Sequence, residues 1–502
     1  MKRFFTLLAA CLICCSMWAV PVDCVDCVAG SLSSIIDDTS ITQLTITGTI
    51  DARDFKFIAG NLNSLEQLDL SNAEIVAYNN EKSPVFLSIT TYDAQAIPAT
   101  AFMSKKLSNV VLPQGLTTIG TAAFAGCNIE SIVLPTTLEN IEPYAFSSCN
   151  NLKSITLPAG LRQLGEGAFA RCKSLQEATI NPDDSFSVGK DAFLDCTALS
   201  SVTIGNNVTA IGPGAFSGCT ALASPTISSN SNLTTIAEAA FAASAVENIA
   251  LNQCNQLTTI GMWAFANTPL QNVTLPESLE SLGDGAFYYN LNMEQINLPA
   301  AITSLSNYLM AGNNAVDMEQ PLHDGVTSIG DYAFYNWDQM RNFTFPQSVE
   351  YVGTMAMAGQ TSLELVTAHP LTVPALGDSV WAGVNQPSIP LKTDASVTDD
   401  YAAAQQWMEF DIQHVSPPTS IDDNHAGNLE VKAHFEGSWL IVNANAVITK
   451  ISIFDINGVM LSTASPASER AQLSTANFNG KFYIVNVILE GGTQRSFKLM
   501  RH

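Results

Sequence analysis

The chain has 502 residues, with 46 Asp and Glu against 21 Lys and Arg and a net charge of −25, yet only 13% of its residues are charged and 47% are hydrophobic. A chain this apolar has ample side chains for a core and falls outside the disordered acidic class. Residues 191–340 carry 13 acids and no Lys or Arg, which excludes a nucleic-acid or anionic-membrane surface there, because both need clustered cations.

At the N-terminus Lys2 and Arg3 precede an uncharged run from Phe4 to Val20, followed by Pro21. A basic start, a short apolar run and small residues near its end predict a secretory signal peptide over 1–19, with Ala19 its last residue. The competing reading is a membrane anchor, for which this run is at the lower limit of length. Leu8-Ala9-Ala10-Cys11 also resembles a lipoprotein box, although the apolar run continues well past Cys11. No later stretch is apolar enough to span a bilayer. Cys24 and Cys27 then form a Cys-x-x-Cys in what reads as an irregular start. A local disulfide or a pair of free thiols is expected there rather than a redox or metal site.

Short apolar runs at Ala29–Ile36, Leu44–Gly48, Asp54–Ile58 and Leu65–Ser71 lead into a periodic array. Ala-Phe recurs at Phe102, Phe124, Phe146, Phe169, Phe193, Phe216, Phe241, Phe265, Phe287 and Phe334, while Met310, Met357 and Trp381 fill the same slot. Successive positions are 22 to 25 residues apart. A short β-like run precedes each, as in Ser131–Pro135, Ser154–Pro158 and Asn272–Pro276. In Ser154-Ile-Thr-Leu-Pro158 alternation sends Ile155 and Leu157 inward and Ser154 and Thr156 outward. Pro158 ends the strand because it has no N–H for the ladder. Gly165 allows the turn that swings Phe169 inward. One such unit cannot bury its apolar set alone, so the coils must stack into a parallel-sheet solenoid with capped ends.

Five cysteines, Cys127, Cys149, Cys172, Cys196 and Cys219, lie three residues after the Phe. Ser244, Thr268 and Asn290 take the same slot in later coils, which favours a buried small side chain over a metal or redox ladder. The run Leu-x-x-Ile-x-Leu-Pro-x-x-Leu-x-x-Ile-Gly-x-x-Ala-Phe-x-x-Cys closely resembles the BspA-type leucine-rich repeat of bacterial surface proteins. The resemblance covers about residues 97–383 and departs from the pattern at Met310, at Met357, at Asn181–Asp184 and around Met318–Leu322, where Pro321 disrupts a strand. It implies a mainly β solenoid, an N-terminal cap over 29–96 and a C-terminal cap over 384–414, where Tyr401, Trp407 and Phe410 would close the last coil. It also implies attachment to extracellular matrix or to other cells.

Residues 415–428 read as a linker. From 429 to 502 the chain carries 7 Lys and Arg against 5 Asp and Glu. Alternating runs at Trp439–Val442, Ile451–Phe454, Phe482–Val487 and Phe497–Met500, with turn signals at Asp455–Gly458 and Asn479-Gly480, predict a small antiparallel β-sandwich. Ile453-Phe454-Asp455 with Gly458, Gly480-Lys-Phe-Tyr-Ile-Val and Lys498 resemble the C-terminal sorting domain of the type IX secretion system, which implies export by that machinery. A carbohydrate-binding or purely structural sandwich is the competing reading.

No catalytic or metal constellation stands out. The six histidines begin at His323, and no zinc-protease, esterase or phosphate-loop motif is present. The acid pairs Asp183-Asp184, Asp399-Asp400 and Asp422-Asp423 lie in turn or linker contexts. The expectation is therefore a non-enzyme that needs no cofactor. The candidate ligand face is the outward row of the strands: Ser154, Thr156, Thr179, Ser201, Thr203, Thr226, Asn272, Thr274, Asn297, Asn342 and Thr344. Its expected partner is a host or bacterial surface protein, or a glycan. The competing reading is that Thr and Ser are simply good solvent-facing strand residues.

Overall fold

The computed structural model describes residues 21–80, 89–313, 322–415, 431–436, 439–454, 460–475, 478, 482–490 and 494–500. The signal peptide over 1–19, most of the 415–428 linker, the irregular coil before Leu322 and the turns at 455–458 and 479–480 lie outside these residues. The chain divides into two compact units, Met1–Pro417 and Pro418–His502.

The first unit is a stack of coils held by three backbone ladders. The first ladder is the predicted one. Pro21–Cys27, Gln43–Ile50, Gln67–Ile75 and Asn109–Val111 form a parallel sheet, and Asn109 bridges to Ser131. Ser154–Thr156, Glu177–Ile180, Ser201–Ile204 and Thr226–Ile227 form the next, Asn272–Val273 pairs with Gln295–Ile296, and Asn342–Phe345, Leu365–Ala368, Pro390–Asp394 and Asp411–Val415 form the last. A 3-10 turn at Leu251–Gln253 stands where the intervening strand would fall.

The second ladder is built from the residues just before each x-Ile-Gly turn. Thr118–Ile119, Asn140–Ile141 and Gln163–Leu164 pair in parallel, and so do Val208–Ile211, Thr235–Ile236 and Thr259–Ile260. The third ladder runs through the Ala-Phe turns. Phe124 N–H donates to the Ala145 carbonyl at 2.8 Å, Phe146 to Ala168 at 2.7 Å and Phe193 to Ala215 at 2.8 Å. Two residues before the Phe, the chain adopts the left-handed region even at Tyr144 (φ 59°), Asp191 (52°), Trp263 (56°) and Tyr332 (57°). That conformation is costly for a residue with a Cβ. Here it aims each N–H at the next coil, as from Tyr144 to the Glu166 carbonyl at 2.8 Å.

Inside, the Phe side chains form one column. Rings from Phe102 to Phe287 stack nearly parallel, 5.0 to 5.7 Å apart, within the favourable range for offset aromatic pairs. Phe55 of the cap helix meets Phe102 edge-on at 5.7 Å and begins the column. At the other end Trp381, Trp407, Phe410 and Phe345 pack edge to face, with Trp381 and Phe410 4.9 Å apart. The C-terminal aromatics thus close the last coil, helped by a short helix at Thr398–Ala403.

The N-terminal end differs from expectation. Pro21–Cys27 is not an irregular start but the edge strand of the sheet, paired with Gln43–Ile50, and Cys24 and Cys27 are joined by a disulfide. The adjoining helix Ala52–Asn61 has a capping box. Asp54, buried, accepts from Asp51 N–H at 3.0 Å, from Gly30 N–H at 2.6 Å and from Leu32 N–H at 3.0 Å. One carboxylate therefore caps the helix and ties down the preceding loop.

The second unit is antiparallel. The runs at 439–442 and 451–454 belong to one long strand, Trp439–Phe454, not two. Its first half pairs with Val431–Glu436 and Ser468–Ser474, and its second half with Met460–Ala464 and Phe482–Leu489, which in turn pairs with Gln494–Met500. Leu440 and Val442 from the first half and Ile451 and Ile453 from the second share one core with Tyr483, Val485 and Val487. The sandwich is thus a single sheet bent around its core through a shared strand.

Candidate functional site

Parallel pairing places the candidate residues in rows. Thr156, Thr179, Thr203 and Thr226 are directly opposite one another on successive strands, and beside them run Ser154, Glu177 and Ser201. The inward partners Ile155, Val202 and Ile227 are buried and fix which side faces out. Ser154, Thr156, Ser201, Thr203 and Thr226 are exposed, and Thr179 is half-buried. Among the described hydrogen bonds none involves these six side chains, so their hydroxyls face solvent with donors and acceptors free.

Beside the second ladder several hydroxyls are consumed instead: Thr117 donates to the Gln95 carbonyl at 3.1 Å, Thr209 to Phe186 at 3.1 Å and Thr234 to Thr209 at 3.0 Å. These threonines hold coil to coil. The outward threonines of the first ladder do not, and the ladder there is made by backbone alone.

The remaining candidates are not in the same row. Asn272 opposes Gln295 in a separate two-stranded sheet, with Thr274 exposed just beyond it. Asn297 is spent on structure, since its amide accepts from Leu275 N–H at 2.7 Å and donates to the Leu275 carbonyl at 3.1 Å. Asn342 opposes Leu365, and Thr344 opposes Thr367, in the last sheet. The array therefore offers one row of four threonines and isolated polar positions further along. Near the last group an open groove of about 600 Å³ is lined by Asp324, Gln347, Ser348, His369, Leu371 and Asp394.

Two outward residues escaped the sequence reading. Val111 opposes Asp69 and is 40% exposed, and Val133 of the next coil is 83% exposed. They fill the slot that Thr156 fills later, so the threonine row is preceded by two apolar positions. Aligning Ser131-Ile-Val-Leu-Pro135 with Ser154-Ile-Thr-Leu-Pro158 carries that signal.

The cysteine ladder is structural. Cys127 Sγ donates to the Phe102 carbonyl at 3.0 Å, Cys149 to Phe124 at 3.2 Å, Cys172 to Phe146 at 3.2 Å, Cys196 to Phe169 at 3.2 Å and Cys219 to Phe193 at 3.3 Å. All five are buried and free. Burial pushes the thiols of Cys127 and Cys196 up to about 12 and the others upward as well, which suppresses the reactive thiolate. In the equivalent slot Gln360 donates to the Phe334 carbonyl at 2.6 Å. Lys105, first in the series, reaches back to the cap, donating to the Leu62 carbonyl at 3.3 Å and to Asn63 Oδ1 at 2.8 Å. Among the described residues no group of three or more His, Cys, Asp or Glu side chains is placed to hold a metal ion.

The BspA type leucine rich repeat region matches residues 95–223, 186–317 and 317–422, in six copies. No curated protein matches the chain. Among solved structures, a leucine-rich repeat protein from Bacteroides ovatus is 20% identical with a TM-score of 0.50, over 70% of this chain and 84% of that one. A leucine rich cell surface protein from Faecalibacterium prausnitzii is 22% identical with a TM-score of 0.30, over 58% of this chain and 86% of that one. The Bacteroides likeness concerns the fold.

Proposed function

The chain belongs to the BspA-type leucine-rich repeat proteins, and from that premise we propose that it is a secreted, non-enzymatic cell-surface protein that binds other proteins through its repeat surface and so mediates adhesion. The observation that carries this reading is the in-register row Thr156, Thr179, Thr203 and Thr226, whose hydroxyls are not used by the fold. Hydroxyls on a rigid sheet present hydrogen-bonding groups at a fixed spacing of about 4.8 Å, and a partner pairing with them loses little by ordering a surface that is already ordered. The apolar Val111 and Val133 beside the row add the dry contact that protein interfaces need at their centre. A saturable interaction of the purified chain with extracellular-matrix proteins or with host or bacterial cells is expected. It should weaken at least tenfold in a Thr179→Arg/Thr203→Arg variant that unfolds at the normal temperature. Absence of saturable binding to all of these would defeat the adhesin reading.

Export is supported by the apolar segment at 1–19 and by the antiparallel unit at the C-terminus, whose letters resemble a type IX sorting domain. Among the described residues no helix is long and apolar enough to cross a membrane. Removing residues 429–502 is expected to leave the protein in the periplasm, and normal surface display without them would contradict the sorting role. The groove beside His369 favours a second reading, a glycan-binding module for nutrient capture, because Asp324, Asp394 and Gln347 line it with polar groups. Glycan-array binding abolished by Thr203 and Thr226 substitutions, or by Asp394→Ala, would favour it.

A further inference from the structure

Among the described residues, the largest set of touching aromatic side chains outside the core lies on the Ala-Phe turns, away from the threonine row. Trp263 meets Tyr288 edge-on at 5.1 Å and Tyr308 at 6.1 Å. Tyr288 contacts Tyr289 at 5.5 Å, Tyr308 stacks on Tyr332 at 4.7 Å and Tyr332 meets Tyr335 at 5.6 Å. Six rings from four successive coils thus form a continuous strip, which only the stacking of the coils assembles. Tyr289 is 48% exposed, and the other five rings are half-buried.

Local geometry holds two of the rings against the backbone of the next coil. Trp263 is left-handed and its indole lies over Gly285, which is itself left-handed at φ +60° and leaves no room for a Cβ under the ring. Tyr289 lies over Gly312 in the same way. Partly exposed rings pinned in this way lose little freedom on binding. Beside Tyr289 an open groove of about 410 Å³ continues past Leu291, Asn336, Asp338 and Thr361.

The strip stands in a negative field. It lies within residues 191–340, which contain no Lys or Arg. In the flanking coils Lys153 pairs with Glu130 at 3.4 Å, Lys190 with Glu166 at 3.0 Å and Arg341 with Glu364 at 3.8 Å. Asp284 and Asp331 lie close enough to Tyr308 to disfavour its ionised form, adding to the larger effect of burial and that of Tyr332. Aromatic faces attract cations through the ring quadrupole, and neighbouring uncompensated carboxylates act in the same direction. A neutral sugar would use the rings but gain nothing from the field.

We propose that this aromatic strip is a docking surface for a cationic, Arg-bearing protein segment, whose guanidinium groups lie over the Trp263 and Tyr289 rings and pair with acids such as Asp338. Arginine suits it because a planar guanidinium both stacks on a ring and forks to a carboxylate. The surface is separate from the threonine row, so a substitution in one leaves the other in place.

The test uses the full chain and fluorescein-labelled nona-arginine at about 150 mM salt, where screening within about 8 Å suppresses attraction from distant charge. Saturable binding is expected, and it should weaken at least tenfold in Trp263→Leu/Tyr289→Leu, which leaves the net charge unchanged. Glu177→Gln, an acid on the threonine face, should bind like the parent. If the double variant does not fold, Asp338→Asn takes its place, with a several-fold loss expected. Equal affinity in parent and strip variant would overturn the proposal, since binding would then reflect acidity alone. So would an absence of peptide binding, or loss of neutral glucose-oligosaccharide binding in the strip variant with peptide binding intact, which would mark a glycan platform.

Discussion

At the scale of single residues, the slot three positions after each Phe shows how one backbone requirement selects different chemistries. A cysteine thiol five times, and the Gln360 amide once, donates to the Phe carbonyl of the preceding coil, whereas Ser244 and Thr268 donate to the Phe carbonyl of their own coil and the Lys105 ammonium reaches back to the cap. The thiols are neutral when folded and ionise freely when unfolded. Raising the pH from the ordinary thiol value of 9.0 toward about 12 therefore withdraws stability, because the unfolded chain loses protons that folded Cys127 and Cys196 keep. Each contributes about 1.4 kcal/mol per pH unit to that slope. Denaturant titrations between pH 8 and 11 should show the fall, and Cys127→Val/Cys196→Val should make it shallower, the remaining buried thiols still contributing. Ellman's reagent, applied at pH 8 to protein lacking residues 1–19, should find none of the six free thiols before unfolding and all six after it. A fast-reacting ladder thiol in the folded protein would revive the redox reading.

At the scale of the coil, the first ladder and the Phe column were legible because alternation and a bulky residue at a fixed period are side-chain signals. The second ladder was not, since it contributes as few as two residues per coil, such as Gln163–Leu164, too short for any alternation to register. The left-handed turns were hidden for another reason. Tyr144, Asp191 and Trp263 are poor markers of positive φ, and the interstrand hydrogen bond, not the residue type, imposes the conformation. The aromatic strip was equally invisible, because its members occupy three different slots of the repeat. What the sequence did carry, through glycine, is where coils touch. A Cβ on Gly212 would run into the Val188 carbonyl of the preceding coil, whereas one on Gly60 of the cap helix meets nothing within 4 Å. Gly212→Ala should destabilise the fold by about 1–3 kcal/mol, and Gly60→Ala should stabilise it by about 0.5–1 kcal/mol, both measured by urea unfolding. In mid-column, Phe193→Ala should cost about 3–5 kcal/mol, because its neighbours Phe169 and Phe216 are held by their own ladders and cannot close the gap.

At the scale of the molecule, the two units have separate cores, so calorimetry of the full chain should resolve two transitions, the smaller one disappearing when residues 429–502 are removed; a single transition would show that the units unfold as one. The charge also divides. The net −25 belongs chiefly to the array, while residues 429–502 carry an excess of two cations, and the acid-only middle falls on the coils that bear the aromatic strip. The two ends of the array are chemically unlike its interior: Phe55, Asp54 and Lys105 close one side, and Trp381, Trp407 and Phe410 the other. Among the described residues, by contrast, the interior coils bond to the coil before and the coil after. A duplication or loss of one 22- to 25-residue unit between those ends would therefore break no bond that its replacement could not remake. Copying errors in the coding sequence can then lengthen or shorten the displayed surface in whole steps. Kindred sequences should differ mainly in how many coils they hold, and in what those coils display outward.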